Sequence, residues 1–258
     1  MSAVTVDRPP ESPQDDERTM TILEHLQELR NRLMICGIAL GISMGASMFF
    51  LANPVIRWLK QPAEAKVPNF ELIYTQPLEY WTVYFQVALY AGLVFAMPVL
   101  VWQLLAFVGP GLTRNEKRWA YPIVLGASGM FVLGCAFAYY VEMPPALNFL
   151  LKSNDIAQPF ITVRSYVSFA TKMLIVNGLV FETPLIVMGL AKVGVLTSRR
   201  IFGWWRYIIL GAFVISAVIT PSIDPITQTL VAVPMVVLFM FGGVLAKLVE
   251  KNPIIPRM

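Results

Sequence analysis

The sequence is short of almost everything a soluble enzyme needs. Only 14% of its 258 residues are charged, against roughly 25% in an ordinary soluble domain, and it has one histidine and two cysteines. At 57% hydrophobic residues and a mean hydropathy of +0.63, it has too little polar surface to cover a body in water. The single histidine, His25, falls in a polar segment that reads as a surface helix, so an intramembrane hydrolase lacks its base. Neither GxSxG nor HExxH occurs, and there is no glycine-rich phosphate loop or pair of carboxylates at metal-ligand spacing. No enzymatic activity, metal or cofactor is expected. Cys36 and Cys135 lie inside apolar runs, where they read as small packed hydrophobes and not as a disulfide. The net charge of +4 comes from small basic clusters between apolar runs instead of one stripe, which argues against a nucleic-acid partner.

What the sequence does have is long uncharged stretches. They run over Leu33–Ile56, Tyr80–Thr113, Trp119–Val141, Tyr207–Ile223 and Pro225–Ala246. A bilayer core takes roughly 17 to 25 residues of helix, so each is long enough, the fourth of them barely. A sixth apolar stretch, Ser165–Ala191, contains Lys172 and Glu182 and reads as a span with functional or interfacial charges. The expected fold is all-α: six transmembrane helices in residues 21–250, between a disordered cytoplasmic tail over 1–20 and a second cytoplasmic tail over 251–258. Thr21 and Glu24 form a capping box, and Ile22, Leu26, Leu29 and Leu33 recur at helical spacing, predicting an amphipathic surface helix that leads into the first span. The first apolar run starts after some thirty polar residues and exceeds the roughly 7 to 15 residues of a signal-peptide core, so it is expected to stay as a helix.

Lysine and arginine set the orientation, because their excess marks the cytoplasmic side. Most fall in the tails and in the loops holding Arg114, Lys117 and Arg118, and Lys192, Arg199, Arg200 and Arg206. The opposite side has only Arg57, Lys60, Lys66, Lys152 and Arg164. Both termini are therefore expected in the cytoplasm. Pro98, Pro184 and Pro234 fall inside spans, and Pro122 and Pro144 near the ends of the third. Each removes an intrahelical hydrogen bond, so kinked helices and a concave, cup-like body are expected. The fifth span is short enough for the bilayer to thin around it.

A few polar residues stand out against this background. Glu182, in LVFETPL, would cost a few kcal/mol of insertion energy if ionised near the middle of a helix. It reads either as a packing hydrogen bond beside the Pro184 kink or as a polar patch in a cavity that meets a partner. Glu28 and Glu116 lie in cytoplasmic segments close to the membrane, where a carboxylate can grip a guanidinium with both oxygens. Each also has a structural explanation: Glu28 can pair with Arg32 four residues on, and Glu116 completes a capping box with Thr113. Arg30 and Arg32 read as positive-inside anchors or as part of a binding surface. Asp224 and Gln228 flank the start of the last helix, where Asp224 would act as an N-cap.

These same segments resemble the TatC family, the receptor subunit of the twin-arginine protein translocase. LEHLQELRNRL (23–33) is similar to the family's HLxELRxRL signature, and MPVLVWQLLAFVGPGLTRNEKR (97–118) to its P-V-L-x-Q-x-W-x-F-x-x-P-x-L-x-x-x-E-[KR]-R block. FETP around Glu182 and TPSIDPITQ (220–228) continue the match, which covers nearly everything after residue 20. There are two departures: Leu105 stands where the block often has Trp, and TPSIDPITQ is one residue longer than the commoner TPPD turn.

The resemblance implies a receptor in a prokaryotic inner membrane that binds twin-arginine signal peptides of folded precursors and draws its energy from the proton-motive force. It implies that Glu28 and Glu116 contact the two arginines, with Arg30 and Phe107 in the same cytoplasmic surface. Glu182 would face the hollow of the cup. Thr220 and Gln228 would contact single-span partners of the TatA and TatB type, with Asp224 on the periplasmic side, in a complex holding several copies of the chain in lipid. The rival from another class is a proton-coupled secondary transporter using Glu182, but such folds are built from repeated halves, and no internal similarity is visible.

Overall fold

The computed structural model describes residues 22–65, 70–108, 120–152, 160–192, 194–219 and 224–250. Helix α1 (Ile22–Phe50) contains no proline and runs unbroken through the predicted surface helix into the first span. The two are one helix of 29 residues, because nothing between them interrupts the backbone hydrogen bonds. It ends earlier than expected, at Phe50. Pro54 has no N–H for the Phe50 carbonyl, so residues 52–56 belong to a second helix, α2 (Ala52–Glu64). This short helix buries Leu59 and Ala63 and exposes the Lys60–Glu64 pair, 2.8 Å apart.

The second span is α3 (Glu79–Val108), which continues through Pro98. The third is longer than its apolar run implied. It comprises α4 (Ala120–Phe137), a π-helical segment (Ala138–Glu142) and α5 (Met143–Lys152), and the candidate span reaches Leu151. Two prolines account for the π segment. An α-helix would need the N–H groups of residues 144 and 145 for the carbonyls of Tyr140 and Val141, and both positions are proline. The Met143 N–H reaches back five residues to Ala138 O instead. Glu142, which seemed to close the span, is thereby turned inward and is only 1% exposed.

The fourth span, Val163–Lys192, is divided at Glu182 into α6 (Val163–Phe181) and α7 (Thr183–Lys192). Pro184 supplies the break, since the Val180 carbonyl loses its donor. After the short α8 (Ser198–Gly203) come α9 (Trp205–Ile219) and α10 (Pro225–Val249), the fifth and sixth spans. Among the described residues, five spans meet the length and hydropathy expected of a bilayer crossing. Helix α9, at 15 residues, is the short one, about 22 Å long at ~1.5 Å per residue. As described, that is shorter than a hydrocarbon core of about 30 Å. Trp204, Trp205 and Tyr207 stand exposed where it begins, as aromatic anchors at a membrane interface do.

The spans form an open, curved row. Helix α1 packs chiefly on α3, α3 on α4 and α6, α4 on α6, α7 on α10, and α10 on α9. The largest buried cluster lies among α2, α3, the π segment, α5 and α6, with Leu59, Val83, Met143, Leu147 and Val167 at its centre. Glycine permits the closest approaches: a Cβ at Gly92 would lie 2.7 Å from the backbone of Met44, and one at Gly134 would meet the Asn177 carbonyl. Buried tyrosines tie α2 down, the Tyr139 and Tyr166 hydroxyls donating to the carbonyls of Trp58 (2.8 Å) and Leu59 (2.6 Å).

At the end of the molecule opposite the predicted cytoplasmic face, Glu79 joins two loops. Its Oε2 accepts from Thr75 N–H (2.8 Å) and Thr75 Oγ1 (2.9 Å), while Oε1 accepts from Arg164 N–H (3.0 Å). An isolated parallel bridge between Ile73 and Thr162 lies alongside. Glu79→Ala strands both backbone donors. Thermal unfolding in detergent should report a lower midpoint, and Glu79→Gln should recover part of the loss.

Candidate functional site

The N-terminal end of α1 and the C-terminal end of α3 hold a cluster built around Glu28. Arg32, one turn on, donates from Nε to Glu28 Oε1 at 2.9 Å, and its Nη2 pairs with the same oxygen. Arg32 Nη1 also donates to Gln103 Oε1 on α3 at 3.2 Å. Glu28 Oε2 has no hydrogen-bond partner among the described residues; His25 Nδ1 lies 3.9 Å from it. His25 stacks on Phe107 with ring centroids 4.5 Å apart. The histidine is therefore more than a solvated side chain, because it joins α1 to α3. A surface cavity of about 540 Å³ opens here, lined by Glu24, Gln27, Glu28, Asn31, Arg32, Ile35 and Gln103.

The expected site is thus partly assembled. Glu28 and Phe107 come together through His25. Arg30 does not join them, since two positions along a helix carry it round to another face, where it is exposed. Glu116 lies outside the described residues. The structural explanation for Glu28, its pairing with Arg32, is realised for one oxygen and leaves the other open.

At the opposite end, Asp224 caps α10, its Oδ1 accepting from Thr227 N–H at 2.6 Å. The Gln228 side chain donates to Phe213 O on α9 at 2.9 Å, and Ser216 Oγ donates to Gln228 O at 2.7 Å. Gln228 thus stitches the last two spans together. Thr220 lies outside the described residues. Glu182, at the bend between α6 and α7, is 7% exposed, and its Oε1 has no partner among the described residues. The bend and the carboxyl coincide, as the Glu182–Pro184 spacing implied.

The order of these features along the chain can be compared with known proteins. Residues 24–234 match the family described as Sec-independent protein translocase protein (TatC). The chain belongs to the TatC family. TatC of Aquifex aeolicus is 37% identical over 236 residues, covering 90% of this chain and 97% of the relative. The Synechocystis TatC is 36% identical over 89% of this chain and 88% of its own length, and the chloroplast TATC of Arabidopsis thaliana is 35% identical over 94% and 76%. A crystal structure of the twin-arginine translocase receptor TatC superposes with a TM-score of 0.79 at 37% identity, over 88% of this chain and 99% of that one. The protein is a multi-pass membrane protein and a TatC component of a Sec-independent protein translocase.

Sequence reasoning missed two polar groups inside the TatC fold. Glu142 Oε2 accepts from Asn177 Nδ2 at 2.6 Å, both residues fully buried between the third and fourth spans. Gln86 on α3 bonds Thr171 (3.2 Å) and Ser168 (3.1 Å) on α6. A carboxylate at the edge of an apolar run looks like a span boundary, and only the π turn shows otherwise.

Proposed function

We propose that this chain is the signal-peptide receptor of a twin-arginine translocase, gripping paired arginines at its cytoplasmic face. The observation that carries this is the second oxygen of Glu28. A carboxylate whose partner arginine occupies one oxygen, and whose other oxygen lacks a donor, can still accept a guanidinium N–H. Because Oε2 is covered, binding requires the half-exposed His25 to move aside on Phe107. Glu116 would supply the second carboxylate, and Arg30 and Phe107 the rim of the surface.

In the same reading both termini are cytoplasmic and the bilayer is a prokaryotic inner membrane. Single-span subunits of the TatA and TatB type would dock near Thr220 and Gln228, with Asp224 on the periplasmic side, nucleating a complex of several copies. Glu182 would meet a partner helix or the passing chain from the hollow of the curved row.

The test is site-specific crosslinking from positions 28 and 116 to a twin-arginine precursor in membranes. Crosslinks are expected from both positions and should disappear when the pair becomes two lysines, because an ammonium cannot make the forked contact. Crosslinks that persist with twin lysine would overturn the arginine grip.

A further inference from the structure

The pair Glu142–Asn177 is a fully buried polar contact between two spans, apart from the proposed arginine grip. It sits where the third and fourth spans come closest, at the level where Gly134 lies against the Asn177 carbonyl. The π segment aims the carboxyl there, leaving Tyr140 and Val141 of the same turn exposed. Such turns are energetically poorer than an α-helix and are frequent at functional sites.

The hydrogen bonds around the pair do not balance for an anion. Asn177 Nδ2 donates to Glu142 Oε2 and to Met173 O (3.0 Å), using both amide hydrogens. Glu142 Oε1 and Asn177 Oδ1 both lack a partner among the described residues. Two acceptors therefore stand unsatisfied on a carboxyl and the amide bonded to it, and a proton on Glu142 Oε1 would turn one of them into a donor. An ionised Glu142 would instead leave a buried charge with a single donor, an arrangement proteins avoid.

Among the described residues, no cation pairs with Glu142. Tyr139 and Tyr140 share the segment, and the Tyr139 and Tyr166 hydroxyls are committed to carbonyls of α2. Helix α4 carries Tyr121 near its start and Cys135, whose thiol donates to Leu174 O, and α5 carries Lys152 at its far end. On α6, Arg164 and Lys172 are exposed, while Glu182 follows at its end; on α2, Arg57 is exposed and Lys60 pairs with Glu64; Asp224 opens α10 as its cap. None forms an ion pair with Glu142.

We propose that Glu142 and Asn177 form an intramembrane proton-binding site, in which the neutral acid donates from Oε1 to Asn177 Oδ1 while Oε2 accepts from Nδ2. The ligand is a single proton taken from solvent, forming one O–H bond and breaking none in the protein. A groove of about 540 Å³ reaches the site from the side, lined by Val141 and Glu142 and by Ile226, Thr229 and Val233 of α10. It brings the surface within one side chain of the carboxyl.

Infrared spectroscopy of the purified protein at neutral pH tests this, since a carboxylic-acid C=O stretch is resolved from carboxylate bands. An acid band is expected that disappears in Glu142→Gln and survives in Glu182→Gln. In Asn177→Leu it should move to higher frequency, because the acid loses its hydrogen bond to the amide. Should Glu142→Gln fail to fold, the double replacement Glu142→Leu with Asn177→Leu, which removes both polar groups, must lose the band instead. Identical acid bands in wild type and the position-142 variant would overturn the site, and a band unmoved by Asn177→Leu would overturn the pairing. Peptide binding at Glu28 is read separately, so either reading can fail without the other.

Discussion

Glu28→Ala is expected to weaken binding of a twin-arginine signal peptide about 10- to 150-fold, with membrane insertion unchanged. The range follows from roughly 1.5–3 kcal/mol for a hydrogen bond to a charged group, converted at ~1.4 kcal/mol per tenfold change. Removing the carboxylate also releases Arg32, which then adds an unpaired cation beside the incoming guanidinium. Both effects have the same sign. Glu116→Ala should behave alike, and the double variant should abolish binding. Titration of a labelled peptide against purified protein measures it, with twin-lysine peptide as the control. Equal affinity for the two peptides would falsify the grip, and so would a topology map that places residue 28 or residue 116 outside the cell.

At Glu182 the contrast between two substitutions matters more than either alone. Glutamine preserves shape and hydrogen-bonding capacity at the bend, so Glu182→Gln should retain most export. Glu182→Lys places an ammonium where the side chain is 7% exposed, at a cost of roughly 2.5–3.5 kcal/mol for a charge at the centre of a span. Export should fall close to background, and part of the protein should fail to insert. Measuring precursor transport alongside the amount of inserted protein separates the two losses. If both substitutions stop export equally at equal insertion, a neutral hydrogen-bonding group does not suffice there and the negative charge itself is needed.

Several elements were legible because their causes are local. The apolar runs predicted the spans, since partition into lipid depends on a segment's own side chains. The break at Pro184 followed from a missing N–H, and the Asp224 cap from a short acceptor placed before a helix. Other elements depended on neighbours. The end of α1 at Phe50 turned on Pro54, which hydropathy does not weigh. The bond from the Gln228 amide to Phe213 O needed α9 to come within reach. His25 looked solvated until Phe107, 82 residues later, stacked on it.

By itself, the sequence determined that this protein lives in a bilayer, how many times it crosses, which way its basic loops imply that it faces, and which family it resembles. Only the tertiary structure decided which polar groups face one another: that Glu28 keeps one oxygen open, that Glu142 turns inward onto Asn177, and that the Gln228 amide bonds Phe213 O on α9. The physical reason is range. Transfer into lipid is summed along a segment, whereas a hydrogen bond needs two groups within about 3 Å, and those groups can lie anywhere in the sequence.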